Sequence, residues 1–292
     1  MLGEQALALI RDVFEQPGLL RNLPRISKRV VAWGPGAKPL AVDHSAVVVS
    51  EEALLADIRP APLLDPHPAR ESNWTIFAAR PLPTQTAEHR FGSRMASAVP
   101  VALKENSDPS ACWIESLAEG WLFLIPNSAL SGWLLAVGDT PQVLLRESTL
   151  VAAQIAHCGS SLGQFPAHGR IVSPLCGPGW LACGTAAMAF DPICGDGTAH
   201  AVREAILASA VIRALAEGGA AVPLLAHYEA RLTAGFRRHL ELCRGFYQSG
   251  GTTPIWRAEL DAIGRGIEWC DTRLSAGAGF RYRLRGFELE AV

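Results

Sequence analysis

Residues 184–207 read GTAAMAFDPICGDGTAHAVREAIL and combine the residue types best suited to meeting a ligand with main chain. Gly195 and Gly197 flank the start of a helical pattern, and the first N–H groups of a helix have no partner within it. Such an end suits an anion or an electron-rich carbonyl, and the two glycines allow close approach to the backbone. Asp191-Pro192 sets an extended kink before the loop, because the proline ring fixes its own φ and disfavours helix at the residue before it. Ala199, Ala201, Ala205, Ala208 and Ser209 would let the following helix pack tightly on a neighbour. A binding loop and an ordinary tight turn fit this spacing equally well.

Other residues offer chemistry singly. Cys194 precedes a helix start, which lowers a thiol pKa and favours nucleophilic use, but no paired base stands beside it in the sequence, and a small buried filler fits better. His200 falls in the first helical turn, facing either a ligand or solvent. The eight histidines show no HxxxH or HxH spacing, and Cys176, Cys183 and Cys194 are too irregular for a zinc set, so no metal is assigned. Trp121 and Phe123 alternate with Leu122 and Leu124, so the two rings share a face that walls a cavity or fills a sheet core. Arg94 interrupts small and apolar residues and must reach solvent, a carboxylate or a polar pocket. Arg203 and Glu204 read as a helix-surface pair.

The elements that must position these residues follow from periodicity. Apolar Leu7, Ile10, Val13 and Phe14 predict an amphipathic helix over 3–15, stopped by Pro17-Gly18. RVVAW and SAVVVS predict paired strands around GPGAKPL. Residues 51–58 read as a short helix, RPAPLLDPHPARES as an irregular connection and WTIFAAR as a buried strand. Several β-type runs between Phe91 and Gly138, joined by KENSDPSA and NSALSG, predict an antiparallel sheet. Helices are expected over 141–156, 199–217 and about 223–247, the last with Leu225, Tyr228, Leu232, Phe236, Leu240, Cys243 and Tyr247 on one face. The tail FRYRLRGFELEAV reads as an exposed strand or a helix-end extension. With 292 residues, 49% apolar and 18% charged, the chain can bury a large core. A net charge of -2 with no basic run argues against nucleic acid, no apolar run reaches membrane-helix length, and seven scattered cysteines suit a reducing cytoplasm.

Taken together, Gly184-Thr185-Ala186-Ala187, Asp191-Pro192 and Gly195-Asp196-Gly197 resemble the C-terminal FAD signature of the flavin monooxygenase and flavin-dependent halogenase superfamily. GWLFLIP, residues 120–126, is similar to the Gly-Trp-x-Trp-x-Ile-Pro segment of the halogenases, with Phe123 in place of the second tryptophan. SRMASAVP, residues 93–100, resembles the strand before it, and Gly3-Glu4 resembles the Gly-Glu segment that follows the family's first βαβ unit. The resemblance implies that the position of Thr185 meets the ribityl chain, where the family carries Asp, and that Pro192 and the 195–197 backbone lie beside the isoalloxazine ring. A hydroxyl there gives up the charge-assisted acceptor, so weaker binding is expected. The family's GxGxxG turn has no counterpart in the sequence; WGPG at 33–36 and GPGWLACG lack the third glycine and the helix. None of Lys28, Lys38 and Lys104 matches the context of the halogenases' catalytic lysine.

The expected fold is therefore α/β: a glutathione-reductase-type FAD-binding layer, N-terminally incomplete, with an antiparallel-sheet substrate domain. The FAD-contacting layer is expected over 1–24, 51–87 and 171–292 and the substrate domain over 25–50 and 88–170. The resemblance implies an FAD-dependent oxidoreductase acting on a small aromatic or peptide-bound substrate; the cysteine usage places it in the cytoplasm, and Trp121, Phe123 and Arg94 are the candidates for its substrate pocket. It also permits a flavoprotein that matures a tryptophan-derived quinone in a partner oxidase, and it implies an external flavin reductase. The alternative is a non-catalytic remnant or interaction subunit that no longer holds FAD tightly.

Overall fold

The computed structural model describes residues 1–58, 74–277 and 280–292, and the chain divides into two compact units. The first comprises 1–60, 92–168 and 244–261, the second 61–91, 169–243 and 262–292. These boundaries differ from the expected division: residues 1–24 fall in the first unit, because Leu2–Gly3 pairs with Val47 and Ala46 and so joins the large sheet.

The first unit is built on a nine-stranded sheet. Its order is 2–3, 40–47, 25–32, 111–117, 120–126, 131–138, 95–103 and 155–158, with 164–166 also on the 95–103 strand. Every pairing is antiparallel except that of 25–32 with 111–117, so the antiparallel expectation holds for all but one joint. Period-2 alternation divides its faces: Leu122, Leu124, Leu134, Val99, Val101 and Trp113 form one core with Leu144 of the helix Pro141–Glu147. Each fully buried leucine contributes about 1.5–3 kcal/mol by leaving water.

The helix expected over 141–156 stops at Glu147. The cause is Glu115, whose carboxylate accepts the N–H groups of Thr149, Leu150 and Val151 and the Ser148 hydroxyl, drawing this backbone out of helix. Burial pulls the Glu115 pKa up, but these hydrogen bonds outweigh it and hold it below the ordinary carboxylate value.

The second unit holds two three-stranded sheets, a hairpin and helical segments. One sheet runs 188–189, 169–173, 87–91; the other runs 176–177, 180–182, 75–77, its last pair parallel. WTIFAAR is a three-residue strand, Thr75–Phe77, and not buried: Ile76 is 45% exposed because the strand lies at a sheet edge. RPAPLLDPHPARES lies outside the described residues. The helices Gly197–Ala216 and Ala221–Gly250 match the expected pair within a few residues, and Tyr228, Leu232, Phe236, Leu240 and Cys243 are buried as their spacing requires. The helix Pro254–Ala276 was not anticipated, although Thr253 followed by Pro254 is a recognisable start. The tail is a hairpin, Tyr282–Arg285 with Glu288–Ala291.

Candidate functional site

In the second unit the strand Trp180–Ala182 leads into a one-turn helix, Gly184–Ala187, and then into the 190–197 loop. Gly184 has φ +56, and its N–H donates to Glu204 Oε2 at 2.7 Å. Glu204 is only 5% exposed, so the expected surface pair with Arg203 does not form; its position four residues past His200 turns it inward. Burial raises the Glu204 pKa to about 8 against the opposing hydrogen bond from Gly184, so the carboxyl is largely neutral at neutral pH. Thr185 Oγ1 donates to Ala78 O at 3.3 Å and stays exposed.

Asp191 serves the loop from inside. It is 2% exposed and accepts the Ile193 N–H at 2.9 Å, capping the turn Pro192–Cys194, while its own N–H donates to His239 Nε2 at 2.9 Å. Gly195 closes that turn at φ +66, a conformation that favours glycine. A Cβ added at Gly195 or at Gly197 would meet no atom of the described residues outside the adjoining backbone within 4 Å, so this backbone faces open space. The 20-residue helix Gly197–Ala216 starts with no side-chain cap, because Asp196 turns to His200 Nε2 at 3.0 Å instead. Open glycine backbone leading into uncapped amides is the arrangement that suits an electron-rich planar group. His200 stacks on Phe190 with ring centres 4.4 Å apart.

The Cys194 thiol, placed by the same turn, lies 3.7 Å from Cys243 Sγ, which in turn lies 3.3 Å from His239 Nε2. The overlooked signal was mixed: His239 and Cys243 are one helical turn apart, an HxxxC spacing, and the third group comes from a distant loop.

In the first unit Arg94 is buried, its guanidinium carbon 3.8 Å from the centre of the Tyr247 ring and its Nη1 3.5 Å from Glu259. Glu259 also accepts the Ser93 N–H and hydroxyl at 2.8 Å. Gly92, at φ +133, allows this wrap, since a Cβ there would lie 2.4 Å from Glu259 Oε2. Trp121 Nε1 donates to the Tyr247 hydroxyl at 3.1 Å. Arg94 and Trp121 line one small cavity with Tyr247, Trp256 and Glu259, of about 10 Å³, while Phe123 is buried outside its lining. A carboxylate is one of the three destinations expected for Arg94, and the one that meets it, Glu259, lies on the unanticipated helix.

The fold that carries these features is that of FAD-dependent halogenases and monooxygenases. The peptidyl tryptophan dihydroxylase QhpG, essential for tryptophylquinone cofactor biogenesis, is 17% identical with a TM-score of 0.67, over 100% of this chain and 77% of its own. The flavin-dependent halogenase CmlS is 15% identical with a TM-score of 0.67, over 99% and 66% respectively. The myxobacterial chondrochloren halogenase CndH, a variant of FAD-dependent halogenases, is 16% identical with a TM-score of 0.61, over 91% and 78%. No protein-family model matches the sequence, and no curated protein does. Among the described residues no helix is long and apolar enough to cross a membrane.

Proposed function

We propose that the chain is an FAD-dependent oxidoreductase of the monooxygenase and halogenase type, acting on a small aromatic or peptide-bound substrate. The observation that carries this is the open backbone at Gly195 and Gly197, leading into an uncapped 20-residue helix in a fold shared with flavin enzymes. Gly184, Thr185, Pro192, Gly195, Asp196 and Gly197 would line the flavin, with Asp191 buried behind the turn as its support and not as a contact. Bound FAD supplies two-electron transfer and oxygen activation. The chain's own residues shape the place: Glu204 anchors Gly184 so that Thr185 presents its hydroxyl, and Asp191 fixes the turn from inside. Thr185 stands where the resembling flavoproteins carry an acidic residue, so its hydroxyl would offer the ribityl chain a neutral hydrogen bond.

On the substrate side the candidates are Arg94, Trp121 and Phe123. The cavity at Arg94 and Trp121, about 10 Å³, holds roughly one water, so an aromatic substrate there requires Tyr247 or Trp256 to move. The similarity to a peptidyl tryptophan dihydroxylase favours a protein-bound side chain as one substrate class, with a partner oxidase as its bearer. The test supplies the FAD-loaded chain with an unrelated flavin reductase, NADH, oxygen and halide, and follows a panel of indoles, phenols and tryptophan peptides by mass. Incorporation of oxygen or halogen above the reductase-only control supports the proposal; NADH consumption with no substrate modified across the panel overturns it.

A further inference from the structure

Three side chains in the second unit meet as metal ligands meet. Cys194, His239 and Cys243 place one ligating atom each within 4.8 Å of the others, with His239 and Cys243 buried and Cys194 half-buried. Two thiolates at about 2.3 Å from a tetrahedral zinc stand roughly 3.8 Å apart, and a thiolate and an imidazole nitrogen about 3.6 Å apart. The observed separations are 3.7 Å between the sulfurs and 3.3 Å between Cys243 Sγ and His239 Nε2. The two helical ligands are held by backbone one turn apart, and the third by a turn that Asp191 caps and Gly195 closes.

A second observation points the same way. Asp196 Oδ1 is buried, has no hydrogen-bond partner among the described residues, and lies 3.9 Å from His239 Nδ1. A carboxylate on the far nitrogen of a histidine is the usual outer partner of a metal-bound imidazole, fixing its tautomer and raising its basicity. We propose that Cys194 Sγ, Cys243 Sγ and His239 Nε2 form a three-ligand site for a thiolate-preferring divalent cation, zinc, with its fourth position taken by water. Loading deprotonates the two thiols and releases up to two protons, and the bond from Asp191 N–H to Nε2 is exchanged for the bond from nitrogen to metal. The site would tie the 190–197 loop to the helix Ala221–Gly250, and it stands whether or not flavin binds.

The experiment loads the full chain with zinc sulfate under a non-thiol reductant, dialyses it and counts metal by mass spectrometry. The expected result is about one zinc per chain in the wild type and in Cys158→Ser, and at least tenfold weaker retention in Cys194→Ser and Cys243→Ser. Should those variants fail to fold, cobalt(II) replaces zinc in the wild type: thiolate-to-cobalt charge-transfer absorption with intense tetrahedral d–d bands supports the site. A wild type that holds no zinc, a folded Cys194→Ser that holds it as tightly, weak octahedral cobalt bands, or an intact mass two hydrogens lower from a Cys194–Cys243 disulfide each overturns it.

Discussion

Glu204→Gln isolates the buried carboxyl that anchors Gly184. In the wild type the pKa is about 8 when folded, against an ordinary value of 4.5, because burial disfavours the charged form and one hydrogen bond from Gly184 only partly offsets it. The sign follows from proton binding. Below pH 4.5 the carboxyl is neutral in both states and costs nothing; between 4.5 and 8 the unfolded chain sheds the proton and the folded chain keeps it. Stability is therefore lost as pH rises through this window, at up to about 1.4 kcal/mol per pH unit, and the loss levels off above the folded pKa. Between pH 5 and pH 9 the total is on the order of 3–5 kcal/mol. Glutamine keeps a carbonyl to accept the Gly184 N–H and removes the ionisation. Urea denaturation at several pH values should show the variant gaining on the wild type by that amount as pH rises, since all other titrating groups are common to both. Parallel stability profiles would mean that Glu204 reaches water and that the anchoring of Gly184 has been misjudged.

Three further predictions concern the first unit. Glu259→Ala removes one carboxylate from beside the buried Arg94 guanidinium and the acceptor of the Ser93 N–H and hydroxyl, and should cost about 3–5 kcal/mol in urea denaturation; a loss below 1 kcal/mol would contradict the pairing. Trp121→Phe removes the donor to the Tyr247 hydroxyl and should cost roughly 1–3 kcal/mol, with a measurable coupling to Tyr247→Phe in a double-mutant cycle. Glu115 is held below its ordinary pKa, so its stabilisation is present above about pH 4.5 and is lost as pH falls through the folded value. Glu115→Gln should therefore flatten the acid limb of the stability curve.

Much of the fold was legible in the sequence because its signals are local. Alternation over 111–138 marked the sheet, and the one-face spacing from Tyr228 to Cys243 marked a helix. Errors arose where a distant group decides the local structure: Glu115, more than 30 residues away in sequence, ends the 141–147 helix. Glu204 reads as a surface residue beside Arg203 until the position of Gly184 is known. The loop glycines were recognisable from their spacing, and φ +66 at Gly195 explains why that residue is glycine. The partners of Arg94 and the convergence of Cys194 with His239 and Cys243 depend on tertiary packing that no periodicity encodes.

An FAD titration followed by absorbance and fluorescence quenching shows whether the 184–197 backbone holds a flavin ring, as proposed. Gly197→Val is the informative comparison, because a Cβ added there meets no atom of the described residues outside the adjoining backbone within 4 Å and points into the space proposed for the ligand. The wild type should bind FAD saturably and the variant at least tenfold more weakly, about 1.4 kcal/mol, with stability changed by no more than about 0.5 kcal/mol. A wild type that ignores FAD, or a folded Gly197→Val that binds it equally well, would rule out a flavin at this loop.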